Sequence, residues 1–281
     1  MKMLSFFRTK KSLLKKKKYL DAQRVLRHVK KSEAFKAQPL LFEDERVVLE
    51  TGKGGEINYE IVKKKAMDFI FDKNWKIRNI GVKIIGEIRC REGIEFLCNM
   101  LSNRKEIGFI RRNSAKALGM VGMVTPQVIA ALSASINNNY WEVRAEAIKS
   151  LGTLAGKNSE IEESLLVRLF GKDYQNMFFQ NNKSRIKFRE RNFEVREAIA
   201  ENLGRVGVSK NAVMALKCLL KDDIWMVRSK ALHSLSTMMD HNNDEFKKII
   251  TGVDLTCESF IPVFPLKEVF SEIVANNRAK K

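Results

Sequence analysis

Five arginines in near-register constrain this chain more than any other feature. Trp141–Gly152 reads W-E-V-R-A-E-A-I-K-S-L-G. Trp75–Gly86, Phe193–Gly204 and Trp225–Ser236 repeat its pattern, and Ile110–Gly119 is a weaker copy. The shared arginines are Arg78, Arg111, Arg144, Arg196 and Arg228, spaced 33, 33, 52 and 32 residues apart. A recurring period of this size predicts an array of small supersecondary units that bury their apolar faces only by stacking.

Each copy predicts one helix. Counted from the arginine, positions −1, +3, +4 and +7 are apolar or small throughout, as in Val143, Ala147, Ile148 and Leu151. That spacing is one stripe of a helix. Positions +1, +2 and +5 are mostly polar. Glycine follows at +8 in four copies (Gly86, Gly119, Gly152 and Gly204), where it is expected to end the helix in a left-handed cap. A second apolar segment precedes each arginine: residues 59–71, 93–101, 126–136, 161–170 and 212–220. Thr125-Pro126 is a helix start. The unit is therefore a helical hairpin.

The motif V-R-x-x-A-x-x-x-L-G at this period resembles the HEAT-like repeats typified by the phycobilisome lyases, over about residues 58–239. The resemblance implies an all-α fold: an αα-solenoid of about five HEAT-like helical hairpins with N- and C-terminal capping helices. It implies little about activity, because such repeats carry scaffolds, adaptors, lyases and glycosylases alike. In such stacks the repeat arginine bonds acids and carbonyls at inter-repeat turns. Asp72, Asp222 and Asp223, just upstream of their arginines, are the expected partners. The aromatics at −3 (Trp75, Trp141, Phe193 and Trp225) are expected to pack near the turns, with base stacking as the alternative.

Around this array the sequence predicts a basic N-terminal arm or helix (1–36), a connecting segment (37–57) and a degenerate last unit with a capping helix (240–281). The whole is expected to form one elongated domain. Pro262 and Pro265 interrupt the C-terminal part, and Leu266 to Ala275 have the spacing of a cap. The net charge of +19 is concentrated. Residues 1–36 hold thirteen Lys/Arg against two acids, and residues 172–192 hold six against two. Within the arm, Ala22, Val25, Leu26 and Val29 have the spacing of a packed helix. Met3, Leu4, Phe6, Phe7, Leu13 and Leu14 among lysines also fit a membrane-surface helix. No secretory signal is recognisable.

Residues 172–192 account for the long spacing of 52 and read as an inserted loop. There Lys183, Arg185, Lys187, Arg189 and Arg191 alternate with Ile186 and Phe188, downstream of Tyr174, Phe178 and Phe179. Such a loop can hold phosphates and bases; alternatively its aromatics only pin it to the array. A second cationic feature is the +5 register, Lys83, Lys116 and Lys149 followed by Glu201 and His233, with Arg112 adding charge at +1. If second helices line a concave surface, these lysines stack at steps of about 10 Å, either as an anion-binding groove or as an ordinary solvated face.

Chemistry is sparse. His28, His233 and His241 are dispersed and form no H-E or H-x-x-x-H pair, which argues against a metal centre of the deoxyhypusine hydroxylase kind. No nucleophile elbow or phosphate-binding glycine loop occurs, and the four cysteines have no C-x-x-C spacing. No catalytic residue, metal or cofactor is expected. The reading is a non-catalytic scaffold or adaptor that binds a macromolecular, anionic partner, first of all a protein, through its concave face, insertion and basic arm. The alternatives are a nucleic-acid binder, resembling the bacterial alkylpurine glycosylases in class, and a peripheral membrane adaptor anchored by residues 1–20. The expected location is the cytoplasm, at the membrane in the last case.

Overall fold

The computed structural model describes residues 2–31, 48–49, 57–175 and 188–238, with backbone alone for 2–12, 48–49 and 57–58. The array is helical, as the periodicity requires. A long α1 (Lys2–Lys31) precedes five hairpins: α2 (Tyr59–Ile70) with α3 (Trp75–Glu87), α4 (Ile94–Ser102) with α5 (Gly108–Val121), α6 (Pro126–Ser135) with α7 (Trp141–Leu154), α8 (Ser159–Phe170) with α9 (Phe193–Val206), and α10 (Lys210–Leu219) with α11 (Trp225–Met238). Among the described residues the one extended feature is a two-residue antiparallel ladder, β1 (Val48–Leu49) with β2 (Ile57–Asn58). The chain divides into two compact units, residues 1–131 and 132–281.

Polar side chains start the helices where the sequence supplies them. Asn74, Asn158, Asn192 and Ser209 accept amides of the first turns of α3, α8, α9 and α10. Thr125 Oγ1 accepts the Val128 amide at 3.2 Å, so Pro126 does begin α6.

All twenty stripe positions (−1, +3, +4 and +7 in five copies) are buried. In the first unit α3 packs on α5, and in the second α9 packs on both α7 and α11. α2 and α4 back their partners in the first unit, α10 and α8 in the second. α1 packs on α3, with Ala22, Val25 and Val29 buried. The segments expected to cap the C-terminal end, residues 240–281, lie outside the described residues.

The glycine register needs correction. Gly86, Gly119, Gly152 and Gly204 do not end their helices; all four lie inside helical segments. Left-handed residues stand beyond the helix ends instead: Arg89 (φ 51°) after α3, Gly122 (φ 77°) after α5 and Gly156 (φ 57°) after α7. Three of the +8 glycines instead permit close helix approach. A Cβ on Gly86 would stand 3.0 Å from Ala117, one on Gly204 2.7 Å from Ser234 Oγ, and one on Gly152 1.4 Å from Asn202 Oδ1. Each faces position +6 of the next second helix, so the missing side chain sets the spacing between stacked units.

Candidate anion-binding surface

The repeat arginines are engaged by acids and carbonyls of the chain itself. Arg78 donates from Nε and Nη2 to Glu106 (3.1 and 2.8 Å), Arg144 to Glu190 (3.0 and 2.9 Å) and Arg196 to Asp222 (2.6 and 2.9 Å). These are two-point pairs that only a guanidinium makes. Their Nη1 atoms donate to carbonyls of their own turn: Asp72 and Lys73, Asn138 and Asn139, Glu190 and Arg191. Arg111 reaches the Leu101 carbonyl (3.0 Å) and Arg228 the Asp222 carbonyl (2.6 Å).

The acid is therefore supplied by the following copy and not, as the sequence spacing suggested, by the arginine's own upstream turn. Asp222 serves Arg196 with its carboxylate and Arg228 with its carbonyl. The Asp72 carboxylate is met by Lys18 of α1 at 2.5 Å, so α1 supplies a cation where a preceding repeat would supply its arginine. Each acid also accepts an amide of its own turn: Asp72 from Asn74, Glu106 from Ile107, Glu190 from Asn192 and Asp222 from Ile224.

Glu190 is the most heavily used of these acids and was missed by sequence reasoning. It is 1% exposed, and it takes Arg168 as well as Arg144. Burial pushes its carboxyl up, but Arg144, the Asn192 amide and Arg168 outweigh that and hold it below the usual carboxylate range. The signal was available: Glu190 lies six residues before Arg196, as Asp72 and Asp222 lie six before theirs. The basic residues around it drew attention to the opposite charge.

Alternation about Glu190 sends Arg189 and Arg191 outward, and both are exposed. Lys183, Arg185 and Lys187 lie outside the described residues. Both ends of the insertion are pinned by aromatics. Tyr174 is buried and its hydroxyl donates to Glu163. Phe188 packs on Phe170 (centroids 5.7 Å) and lies under the Arg196 guanidinium (5.4 Å). The −3 aromatics each open a second helix, and none is fully buried; Trp141 is 37% exposed.

In the first unit the structure brings Lys83, Arg112 and Lys116 together. The close approach at Gly86 and Ala117 sets α3 beside α5, and Asn113 Nδ2 donates across to Asn79 Oδ1 at 2.6 Å. Arg112 and Lys116 are four apart on α5 and share a face. Lys30, from the end of α1, joins them and pairs with Glu87 at 3.6 Å. Arg112 is half-buried. Its Nη2 donates to Asn113 Oδ1 at 3.3 Å, and its Nε is buried without a partner. Burial lowers the Lys83 pKa, and the positive charges of Lys30, Arg112 and Lys116 lower it further, against a small opposing effect of Glu87. Three like charges crowd a half-buried ammonium, an arrangement that an added anion would relieve.

Lys149 is exposed on α7 in the second unit, one turn from Glu146. At the equivalent position of α9, Glu201 binds Arg205 (2.9 Å) and Lys230 (3.4 Å).

Cys90, Cys98 and Cys218 are buried free thiols, all pushed up by burial, Cys90 and Cys218 to about 11. His28 and His233 are exposed. Among the described residues no three His, Cys, Asp or Glu side chains converge as a metal site, and no helix is long and apolar enough to cross a membrane.

Comparison with known proteins agrees with the register. The family profile of HEAT repeats matches residues 64–152. No curated protein sequence matches the chain. Among solved structures, the complex of CpcE and CpcF of phycocyanin lyase from Nostoc sp. PCC7120 is similar at 17% identity and TM-score 0.50, over 79% of this chain and 77% of that one. Two engineered proteins are similar at 16% identity. One has TM-score 0.46 over 76% of this chain and 97% of its own; the other has 0.45 over 75% and 93%. The likeness to the lyase complex is one of fold.

Proposed function

From the premise that this chain is a HEAT-like helical repeat protein, we propose that it is a non-catalytic scaffold that captures an acidic segment of a protein partner on the α3–α5 face of its first unit. The carrying observation is the convergence of Lys83, Arg112 and Lys116, with the buried Nε of Arg112 unbonded. A carboxylate placed there supplies the missing acceptor and offsets the crowded charge. Stacked helices hold the three side chains at fixed spacing, which lowers the ordering cost of binding. The cluster is compact. Duplex binding draws its affinity from many phosphate contacts along a stripe, and three side chains favour a short acidic stretch of polypeptide. Arg189 and Arg191 are a separate exposed basic pair on the second unit, proposed as an auxiliary contact.

The test uses a fluorescently labelled oligoglutamate peptide, with a nucleic-acid duplex as competitor. Full-length protein is expected to bind the peptide, and K83E/R112E/K116E to weaken binding by at least about tenfold, the equivalent of ~1.4 kcal/mol. Unchanged affinity in the triple variant overturns the assignment. Preferential binding of the duplex replaces it with a nucleic-acid reading.

A further inference from the structure

The helix α1 runs from Lys2 to Lys31, and among its described side chains, from Leu13 on, the first buried one is Ala22. Before that point Leu13, Leu14 and Leu20 are 64%, 61% and 48% exposed. Four successive lysines, Lys15 to Lys18, interrupt these leucines; Lys18 is taken by Asp72, while Lys15, Lys16 and Lys17 remain exposed. No acid occurs before Asp21.

We propose that residues 2–20 form an interfacial helix that docks this protein on an anionic lipid bilayer. Exposed leucines interleaved with lysines are the chemistry of a helix lying in the headgroup region, with apolar side chains in the acyl boundary and ammonium groups on anionic lipid. The register continues the pattern N-terminally: Phe6, Leu13 and Leu20 are seven apart, as are Phe7 and Leu14. Lys17 falls on the stripe of Leu13 and Leu20 and is exposed, its long stem able to carry the charge back to water.

Charge selects this occupant over two others. A second copy would bring its own lysines and no acid to the same face. A nucleic acid would satisfy the lysines but leave the leucines in water. The first half of α1 lies in the plane of the membrane and does not span it, because charge recurs along its whole length. The second half stays docked on α3 and fixes the repeat array to the surface.

The experiment is co-sedimentation of full-length protein with vesicles of phosphatidylcholine alone or with phosphatidylserine at about 30%. Binding is expected with phosphatidylserine and not without it. L13Q/L14Q, which leaves the charge unchanged, is expected to lower partitioning by at least about tenfold, and K15Q/K16Q/K17Q comparably. Thermal unfolding followed by circular dichroism is expected to be unchanged in both variants, since all five side chains are exposed. K83E/R112E/K116E is expected to keep its vesicle binding, which separates this helix from the α3–α5 site. Absence of binding to phosphatidylserine vesicles overturns the proposal. So does binding that L13Q/L14Q leaves intact, because the segment is then only a polycation. A concentration-dependent dimer that L13Q/L14Q dissolves also overturns it, by showing a second copy on the leucine face.

Discussion

The two units share one packing scheme and differ in surface charge. In the first, the outward positions of α3 and α5 hold Lys83, Arg112 and Lys116, with Glu87 as the nearby acid and already engaged by Lys30. In the second, α7 and α9 hold Glu142, Glu146, Glu194, Glu197 and Glu201, and Glu201 binds two cations. Buried positions repeat because each stripe must meet the next helix. Exposed positions are under no such constraint, so one register can present a cationic face in one place and a neutralised one in another. The internal networks differ as well. Arg78 and Glu106 form a pair that is 20% and 10% exposed, whereas Glu190 in the second unit is 1% exposed and holds two arginines.

That contrast can be broken most severely at Glu190. Glu190→Gln leaves the buried Arg144 and the half-buried Arg168 against a neutral amide, and a loss of about 3–5 kcal/mol is expected by chemical denaturation, as for other broken buried ion pairs. Glu106→Gln in the first unit is expected to lose clearly less, because water reaches that pair. The same difference appears in pH. The folded pKa of Glu190 is lowered, so its contribution is present above the ordinary carboxylate pKa. It is lost as pH falls through the lower folded value. Acid unfolding of wild type should therefore steepen below the usual carboxylate range, and Glu190→Gln should flatten it. Equal losses at Glu190 and Glu106 would erase the distinction.

Charge reversal tests the surfaces. K83E/R112E/K116E is expected to weaken oligoglutamate binding by at least about tenfold, while Lys149→Glu should change it by less than about twofold, read by fluorescence anisotropy. A large effect of Lys149→Glu would join that residue to the site.

Helix spacing gives a similar or smaller effect. Gly152→Ala would place a methyl 1.4 Å from Asn202 Oδ1, and overpacking of this kind costs about 1–3 kcal/mol. G152A/N202A should recover part of the loss in the same denaturation assay. Recovery absent from the double variant would mean that the backbones, not the side chain, set the approach.

The smallest effect is a pH profile. Lys83 must be protonated to hold an anion, and its pKa is lowered. Oligoglutamate affinity should begin to fall at a pH below the ordinary lysine value, and Lys83→Arg should move that onset upward.

By itself the sequence determined the number of hairpins, the buried stripe and the start of α6, because a 3.6-residue period and a polar cap are local properties. It also held the clue to a packed α1 in Ala22, Val25 and Val29. Partners distant in the chain were decided by tertiary structure alone. Arg78, Arg144 and Arg196 take acids from the next copy, 26 to 46 residues away, and spacing along one helix cannot reveal that. Glycines that suit a cap on local grounds became contact points, because stacking brings another helix onto them. The lysine register was visible as a pattern. Only packing of α3, α5 and the end of α1 crowded Lys83, Arg112, Lys116 and Lys30 together, because charge density depends on which helices touch.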